Sequence, residues 1–380
     1  MNNEDIQFIN DNLEKDTSKL MFKYDKDQTK RFLINQIGKR QKTKNKLPSL
    51  YNKFDFIFPQ NSKAIEQCSS EISAKIKSKF FHGDKFIDLT GGLGIDFIHL
   101  SKGFNVSYYN ELDLDLYHLA LNNFKDENIE FSNSKAEDLD IINNEYFDLI
   151  YIDPDRRNNN NKKLVLLEDL SPNIIELERN LKYKNLLIKL SPIFEINEFY
   201  KYYNYFDVWL IQVDGELKEL LLHLNKDKIS NNLKIIEIIK DDFKEYNYEI
   251  SKEMIPTSDN NFKYLFEPIV SILKANLQDK IAIDNGLSKI NANTQYLFSN
   301  EVKTDLPGNF FEIELKLNYN KKDFEKNNID SGIIKIRNFD DSISSIKKKL
   351  KLKESNDRYL LFTKDHQNKN ICFVCKKIKM

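Results

Sequence analysis

From Lys85 to Leu224 short apolar runs alternate with amphipathic stretches. The runs are KFIDL (85–89), NVSYYN (105–110), NIEFS (128–132), FDLIYID (147–153), NLLIKLS (185–191) and FDVWLIQV (206–213). A last run, LKELLLHL (217–224), follows Gly215 closely enough for a hairpin. The spacing predicts helices near 95–103, 113–124, 136–142, 166–182 and 194–203. Apolar runs buried on both faces and joined by helices predict an α/β fold with a doubly wound, Rossmann-like sheet. Its crossovers are right-handed, and the closing hairpin makes the last of seven strands antiparallel.

The flanks read differently. KAIEQCSSEISAKIKSKF (63–80) places Ala64, Ile65, Cys68, Ile72, Ile76 and Phe80 close to one helical stripe, so residues 1–80 read as a helical region. KLPSLYNKFDFIFPQNS (46–62), with two prolines, reads as a connector with a short extended piece. After Asp227 the pattern is α+β. YLFEPIVSILKANLQDKIA (264–282) reads as a helix after a Glu-Pro start; FFEIELKL, GIIKIRNF, RYLLFT and NICFVCKKI read as strands, and SISSIKKKLKL (342–352) as a helix. The expected boundaries are 1–80, 81–228, 245–300 and 305–380. NNNNKK (158–163) is the one low-complexity tract.

Composition narrows the class. The 380 residues exceed one typical domain, and 27 Phe with 18 Tyr supply ample core. No apolar run approaches the roughly 20 residues of a membrane helix. The polar start MNNEDIQFINDNLEKD reads as neither signal nor transit peptide. Three cysteines are too few for a disulfide framework, which points to a reducing cytoplasm. Net charge is −1, yet Leu20–Lys46 holds nine Lys or Arg against two Asp, and Ile346–Met380 eleven against three acids. Two basic stretches suit a polyanion such as RNA, against the alternative of a Lys-rich solvated surface. KKKLKLK (347–353) carries the same two readings.

The chemistry gathers at strand ends, where ligands bind in open α/β sheets. FIDLTGGLGIDFIHLSKGF (86–104) holds four of the ten glycines in the chain. Asp88 is followed by Thr90-Gly91-Gly92-Leu93-Gly94 and then a helix. Glycines there let the backbone turn sharply and approach a ligand closely. The spacing is not the G-x-G-x-x-G of a dinucleotide site, and an acid before the turn suits a ligand carrying an ammonium or sulfonium. Glu111 ends the second strand 23 residues after Asp88, where an acid can accept both hydroxyls of a ribose. Ser134 and Lys135 follow the third strand, where an adenine edge would be read. The fourth strand delivers Asp153-Pro154-Asp155-Arg156-Arg157, and such charge density at a strand's carboxyl end marks a site. Cys372 and Cys375 lie in a strand-like run, facing opposite ways, so no metal is expected. His99 and His118 read as packed helix residues.

Together these elements resemble the class I S-adenosylmethionine-dependent methyltransferases over about 85–225. Asp88 with Gly91, Gly92 and Gly94 matches the first motif, with Thr90 in place of its usual first glycine. Glu111 matches the ribose acid. Asp153-Pro154-Asp155-Arg156 matches the fourth motif, although no aromatic residue follows the proline. EQCSSEISAKIKSKF, IDPDRR, VDGELKELLL, YLFEPIVSILKA and KIRNF extend the likeness to a bacterial methyltransferase group with a small ferredoxin-like segment and a C-terminal THUMP-like domain.

The resemblance implies S-adenosylmethionine as cofactor and RNA, transfer or ribosomal, as substrate. Asp153 would orient an acceptor nitrogen, Asp155 would serve as base, and Arg156 and Arg157 would clamp a phosphate. Gln67, Ser69 and Ser70 would approach the methionine carboxylate. A protein or small-molecule methyltransferase, a non-catalytic RNA-binding protein and an NAD-dependent oxidoreductase are the competing readings.

Overall fold

The apolar runs become strands in the computed structural model, which describes residues 1–156, 166–229, 231–240, 242–250, 254–258 and 260–379. The chain forms two units: Met1–Val213 with Lys218–Asn231 and Lys240–Asp242, and Asp214–Leu217 with Asn232–Ile239 and Phe243–Met380.

In the first unit, strands β1 (Gly83–Asp88), β2 (Phe104–Asn110), β3 (Ile129–Ser132), β4 (Phe147–Ile152), β5 (Tyr183–Leu190), β6 (Asp207–Val213) and β7 (Glu216–Asn225) lie in the order β3-β2-β1-β4-β5-β7-β6. β1 to β5 pair in parallel, and β7 runs antiparallel to β5. Phe86, Leu149, Ile150, Leu186, Leu187 and Ile188 are wholly buried, as strands covered on both faces require. The β6–β7 hairpin turns through Asp214 and Gly215, both at positive φ, as a two-residue turn matched to strand twist demands. The strand order reverses beside β1, which opens a crevice at the carboxyl ends of β1 and β4.

Helices α1 (Asn3–Asn12), α2 (Thr17–Lys23), α3 (Gln28–Thr43), α4 (Pro48–Tyr51), α5 (Lys63–Gln67) and α6 (Glu71–Ser78) precede the sheet. Ile9, Leu20, Leu33, Ile34 and Ile37 form their apolar cluster. The single stripe expected over 63–80 is two helices, because Ser70 starts α6 by accepting a bond from the Ser73 amide at 3.3 Å. Helices α7 (Ile95–Leu100), α8 (Leu114–Asn123), α9 (Asp140–Asn144) and α10 (Ile174–Glu178) connect the strands. The helix expected over 166–182 shrinks to a turn at 167–169, a two-residue strand at 170–171 and α10. Pro172 lacks a donor there, and Asn173 caps α10 through the Ile175 and Glu176 amides. The helix expected at 194–203 is a tighter 3₁₀ segment, Ile196–Lys201.

In the second unit, β8 (Asn232–Ile239) and β9 (Asp242–Glu249) fall where no strands are predicted. A separate sheet follows: β10 (Tyr264–Pro268), β11 (Leu297–Ser299), β12 (Gly308–Asn318), β13 (Ile333–Ile336), β14 (Tyr359–Lys364) and β15 (Asn370–Lys377), in the order β11-β10-β12-β15-β14-β13. YLFEP is therefore a strand rather than a helix start, and α11 (Val270–Lys274) and α12 (Gln278–Asn285) are split at Asn276, which sits at positive φ. α13 (Lys321–Lys326) and α14 (Ile343–Leu350) complete the unit. Among the described residues no helix is long and apolar enough to cross a membrane.

Candidate active site

A cleft of about 1880 Å³ lies at the carboxyl ends of β1, β2 and β4, entirely within the first unit. Asp88, Thr90, Gly91, Gly92, Gly94 and Glu111 line it, and so do Ser134, Lys135, Asp153, Pro154 and Asp155. Gln67 and Ser69 reach it from the α5–α6 junction. Ser70 does not: its hydroxyl caps α6 and it is absent from the lining, because a capping oxygen must face its own helix.

The β1–α7 turn is held from below. Asp88 is buried and accepts from the Thr90 amide at 3.0 Å; burial pushes its carboxyl well above the ordinary value, with that bond opposing. The Thr90 hydroxyl accepts from the Asp153 amide at 2.7 Å, so this residue ties the first turn to the fourth-strand turn, which a glycine could not do. A Cβ at Gly91 would overlap the Tyr109 ring, and one at Gly94 the Phe124 ring. The sequence assigns this space to a ligand; in the fold, aromatic side chains fill it. At Gly92, φ +55, a Cβ would make only an ordinary contact with the Thr90 carbonyl at 3.9 Å, so its glycine serves the backbone alone.

Glu111 is half-buried. One carboxylate oxygen accepts from the Gly92 amide at 2.7 Å and the other from the Asp113 amide at 2.8 Å. Burial raises its carboxyl, and these two amides oppose the rise. Asn110 joins three strand ends: its amide donates to the carbonyls of Leu89 and Ser134, and its oxygen accepts from the Ser132 hydroxyl and the Ser134 amide. Ser134 therefore presents a backbone already committed to Asn110, while Lys135 is exposed at the rim. His118 is also exposed on the cleft, not packed as expected. His99 is buried, and burial lowers its imidazole to about 4.

At the fourth-strand turn, Asp153 pairs with Lys189 on β5 at 2.7 Å. Asp155 is exposed, and its backbone pairs with Ser171 in a short antiparallel bridge. Arg156 shares that bridge through its backbone, and Arg157 lies outside the described residues. Lys189 stands 4.0 Å from Asp96 on α7, which accepts hydrogen bonds from Ser69 at 2.7 Å and Tyr151 at 2.8 Å. Lys77 on α6 contacts both Asp96 and Glu219 on β7 at 2.6 Å. Burial alone would raise the Asp96 carboxyl; the two lysines beside it more than reverse this and hold it below the usual range. The hydroxyl of Ser69, expected to meet a ligand, is spent on this network.

Sequence reading missed Lys77, Asp96, Lys189 and Glu219. For Asp96, Lys189 and Glu219 a signal was available, since each interrupts an apolar run with a charge that burial would otherwise forbid, whereas Lys77 stands among the alternating lysines of AKIKSKF.

Three of the nine cations of the first basic stretch are consumed inside the protein, while Lys23, Lys26, Arg31, Lys42 and Lys44 stay exposed. Arg40 is fully buried and donates to the carbonyls of Lys53, Phe54 and Phe56; Lys39 donates to Pro59 and Gln60, and Lys46 to Ile65 and Glu66. Asn123 on α8 exchanges two bonds with the Ile57 backbone. These bonds fix 57–61 as one wall of the cleft, so Lys39 and Arg40 build the site rather than a surface for a polyanion.

A model of the family described as "THUMP domain-like" matches residues 308–377. The whole chain is similar to the crystal structure of a candidate methyltransferase from Porphyromonas gingivalis W83. The two are 22% identical, with 99% of this chain and 98% of that one covered at a TM-score of 0.87. Two further structures overlap part of it: TrmK of M. capricolum in complex with S-adenosyl-homocysteine (16% identity, 43% and 70% covered, TM-score 0.32) and an rRNA methylase from Streptococcus thermophilus (17%, 41% and 94%, TM-score 0.28). No curated protein matches the sequence.

Proposed function

Given a class I methyltransferase fold that ends in a THUMP-like domain, we propose that the chain is an S-adenosylmethionine-dependent methyltransferase acting on a base nitrogen of structured RNA. The observation that carries this reading is the pair of acids flanking the glycine turn. Glu111 sits half-buried on the cleft beside the Gly92 amide, and Asp88 lies beneath the same turn.

The residues present fit the cofactor. Glu111 would take the ribose hydroxyls, the Lys135 amide the adenine edge, and the Thr90–Gly92 turn the amino-acid end. When bound, S-adenosylmethionine supplies a methyl group activated by its sulfonium. The cleft volume exceeds the range of about 300–1,000 Å³ usual for one small ligand, which leaves room for an acceptor nucleotide. Asp153 would accept the acceptor's N–H, and Asp155, more exposed, would take the proton. The THUMP-like domain in the same chain supports RNA as the acceptor.

Titration calorimetry with S-adenosylhomocysteine, with NAD alongside, tests the cofactor. Saturable binding is expected, weakened about tenfold or more in Glu111→Gln. Binding of NAD alone would overturn the reading. Transfer of a labelled methyl group to unmodified transfer and ribosomal RNA then tests the acceptor; label on protein but not on RNA would replace RNA with a protein substrate.

A further inference from the structure

The buried charges beneath the fourth-strand turn form a directed series. Side-chain exposure is 0% at Lys77, 9% at Asp96, 12% at Lys189 and 37% at Asp153. Only the last member opens substantially onto the cleft. Breaking such a network is costly, but replacing a buried pair by apolar side chains of similar size is often neutral or stabilising, so stability alone does not account for it.

The strand register places the terminal pair. Tyr151 and Ile152 stand beside Leu187 and Ile188 in the parallel ladder, and one step further brings Asp153 beside Lys189. Lys189 takes Asp153 Oδ2 at 2.7 Å, and Thr90 takes the Asp153 amide at 2.7 Å. Main chain and carboxylate are thus both held, which leaves Oδ1 as the oxygen available to a substrate donor. We infer that Lys189 is a positioning residue whose ammonium favours the carboxylate form of Asp153 and turns it so that Oδ1 accepts the N–H of the methyl acceptor. The inference rests on the methyl-transfer reading for the identity of that acceptor, and on geometry alone for the hold on Asp153.

Carboxylates dominate the surroundings of Lys189. Asp96 on α7, Asp153 and Glu219 on β7 attract its ammonium and raise its value above the ordinary one although burial opposes them. Lys77 on α6 repels but is itself paired, and Tyr151 donates its hydroxyl to Asp96. Cys68 and Asp88 complete the surroundings of this charge cluster. For Asp153, burial raises the carboxyl and Lys189 is the leading opposing charge. Without Lys189, protonation of Asp153 moves to higher pH, and a protonated oxygen is a poorer acceptor.

The test compares wild type with Lys189→Met and Lys189→Arg, using Lys189→Gln if the methionine variant does not fold. Carboxyl-carbon NMR of the protein, with Asp153→Asn to assign the signal, reads the Asp153 midpoint directly. In Lys189→Met the midpoint should rise by about one pH unit or more. The acid limb of kcat/KM should move with it, S-adenosylhomocysteine affinity should stay within about twofold, and arginine should restore part of the shift. An unmoved Asp153 midpoint, or activity lost equally at every pH, would overturn the inference. Failure of wild type to bind S-adenosylhomocysteine would instead overturn the proposed function, and the carboxyl titration would still decide whether Lys189 governs Asp153.

Discussion

Two charge clusters, one against each sheet, are handled in opposite ways. On the first, Lys77, Asp96 and Glu219 are at most 9% exposed, and their contacts close within the protein at 2.6 Å. On the second, Glu267 of β10 is buried, yet its partners Lys335 and Arg337 keep 34% and 31% of their side chains in solvent. Water and salt screen the second cluster and leave the first unscreened. The unscreened cluster leads to a cleft at the carboxyl ends of parallel strands. Buried charge alone is thus a weak guide to a site; buried charge that ends on a cleft is a better one.

Removing Lys77 breaks this contrast most directly. Lys77→Ala leaves Glu219 buried with the Ser73 hydroxyl in place of its ion pair and Asp96 with Lys189 alone, at 4.0 Å, and a stability loss of about 3–5 kcal/mol is expected from denaturant unfolding. A loss below about 1 kcal/mol would place the first cluster with the second.

The next effect depends on pH. His99 is held neutral by burial, with its folded value at about 4 against about 6.5 in the unfolded chain. Between those values the unfolded chain binds more protons, so stability falls as pH drops from about 6.5 to about 4 and is unaffected by this group above that window. His99→Gln should flatten that part of the thermal-midpoint profile; an unchanged slope would assign it to other groups.

The smallest change is expected at Lys335. Arg337 remains 3.7 Å from Glu267 when Lys335 is removed, so Lys335→Ala should cost no more than about 1 kcal/mol, with a dependence on salt. A larger, salt-independent loss would mean that the second cluster is as closed as the first.

The parallel strands, the hairpin at Asp214-Gly215 and the acid-bearing turns were all legible from local pattern. Helix 166–182 was not, because Pro172 and Asn173 override an apolar spacing that looks continuous. Ser69 and Ser70 read alike in sequence, and only their surroundings separate a network hydroxyl from a helix cap. The two cysteines of Cys372-Phe-Val-Cys375 fall in different apolar clusters, Cys372 with Phe362 and Leu317, Cys375 with Phe298 and Phe373. Strand alternation anticipates that separation.

By itself, the sequence determined the seven strands of the first unit's sheet, where the backbone must turn tightly and which acids stand at strand ends. These are properties of neighbouring residues, set by side-chain period and by the few residues that tolerate positive φ. Only the tertiary structure decided which charges meet. Lys77 and Glu219 are 142 positions apart, and Arg40 meets the carbonyls of Lys53, Phe54 and Phe56. Hydrophobic period says which face of an element is buried. What stands opposite that face depends on how the chain returns, and there Lys39 and Arg40 came to hold a cleft wall and a lysine within a strand became the support of Asp153.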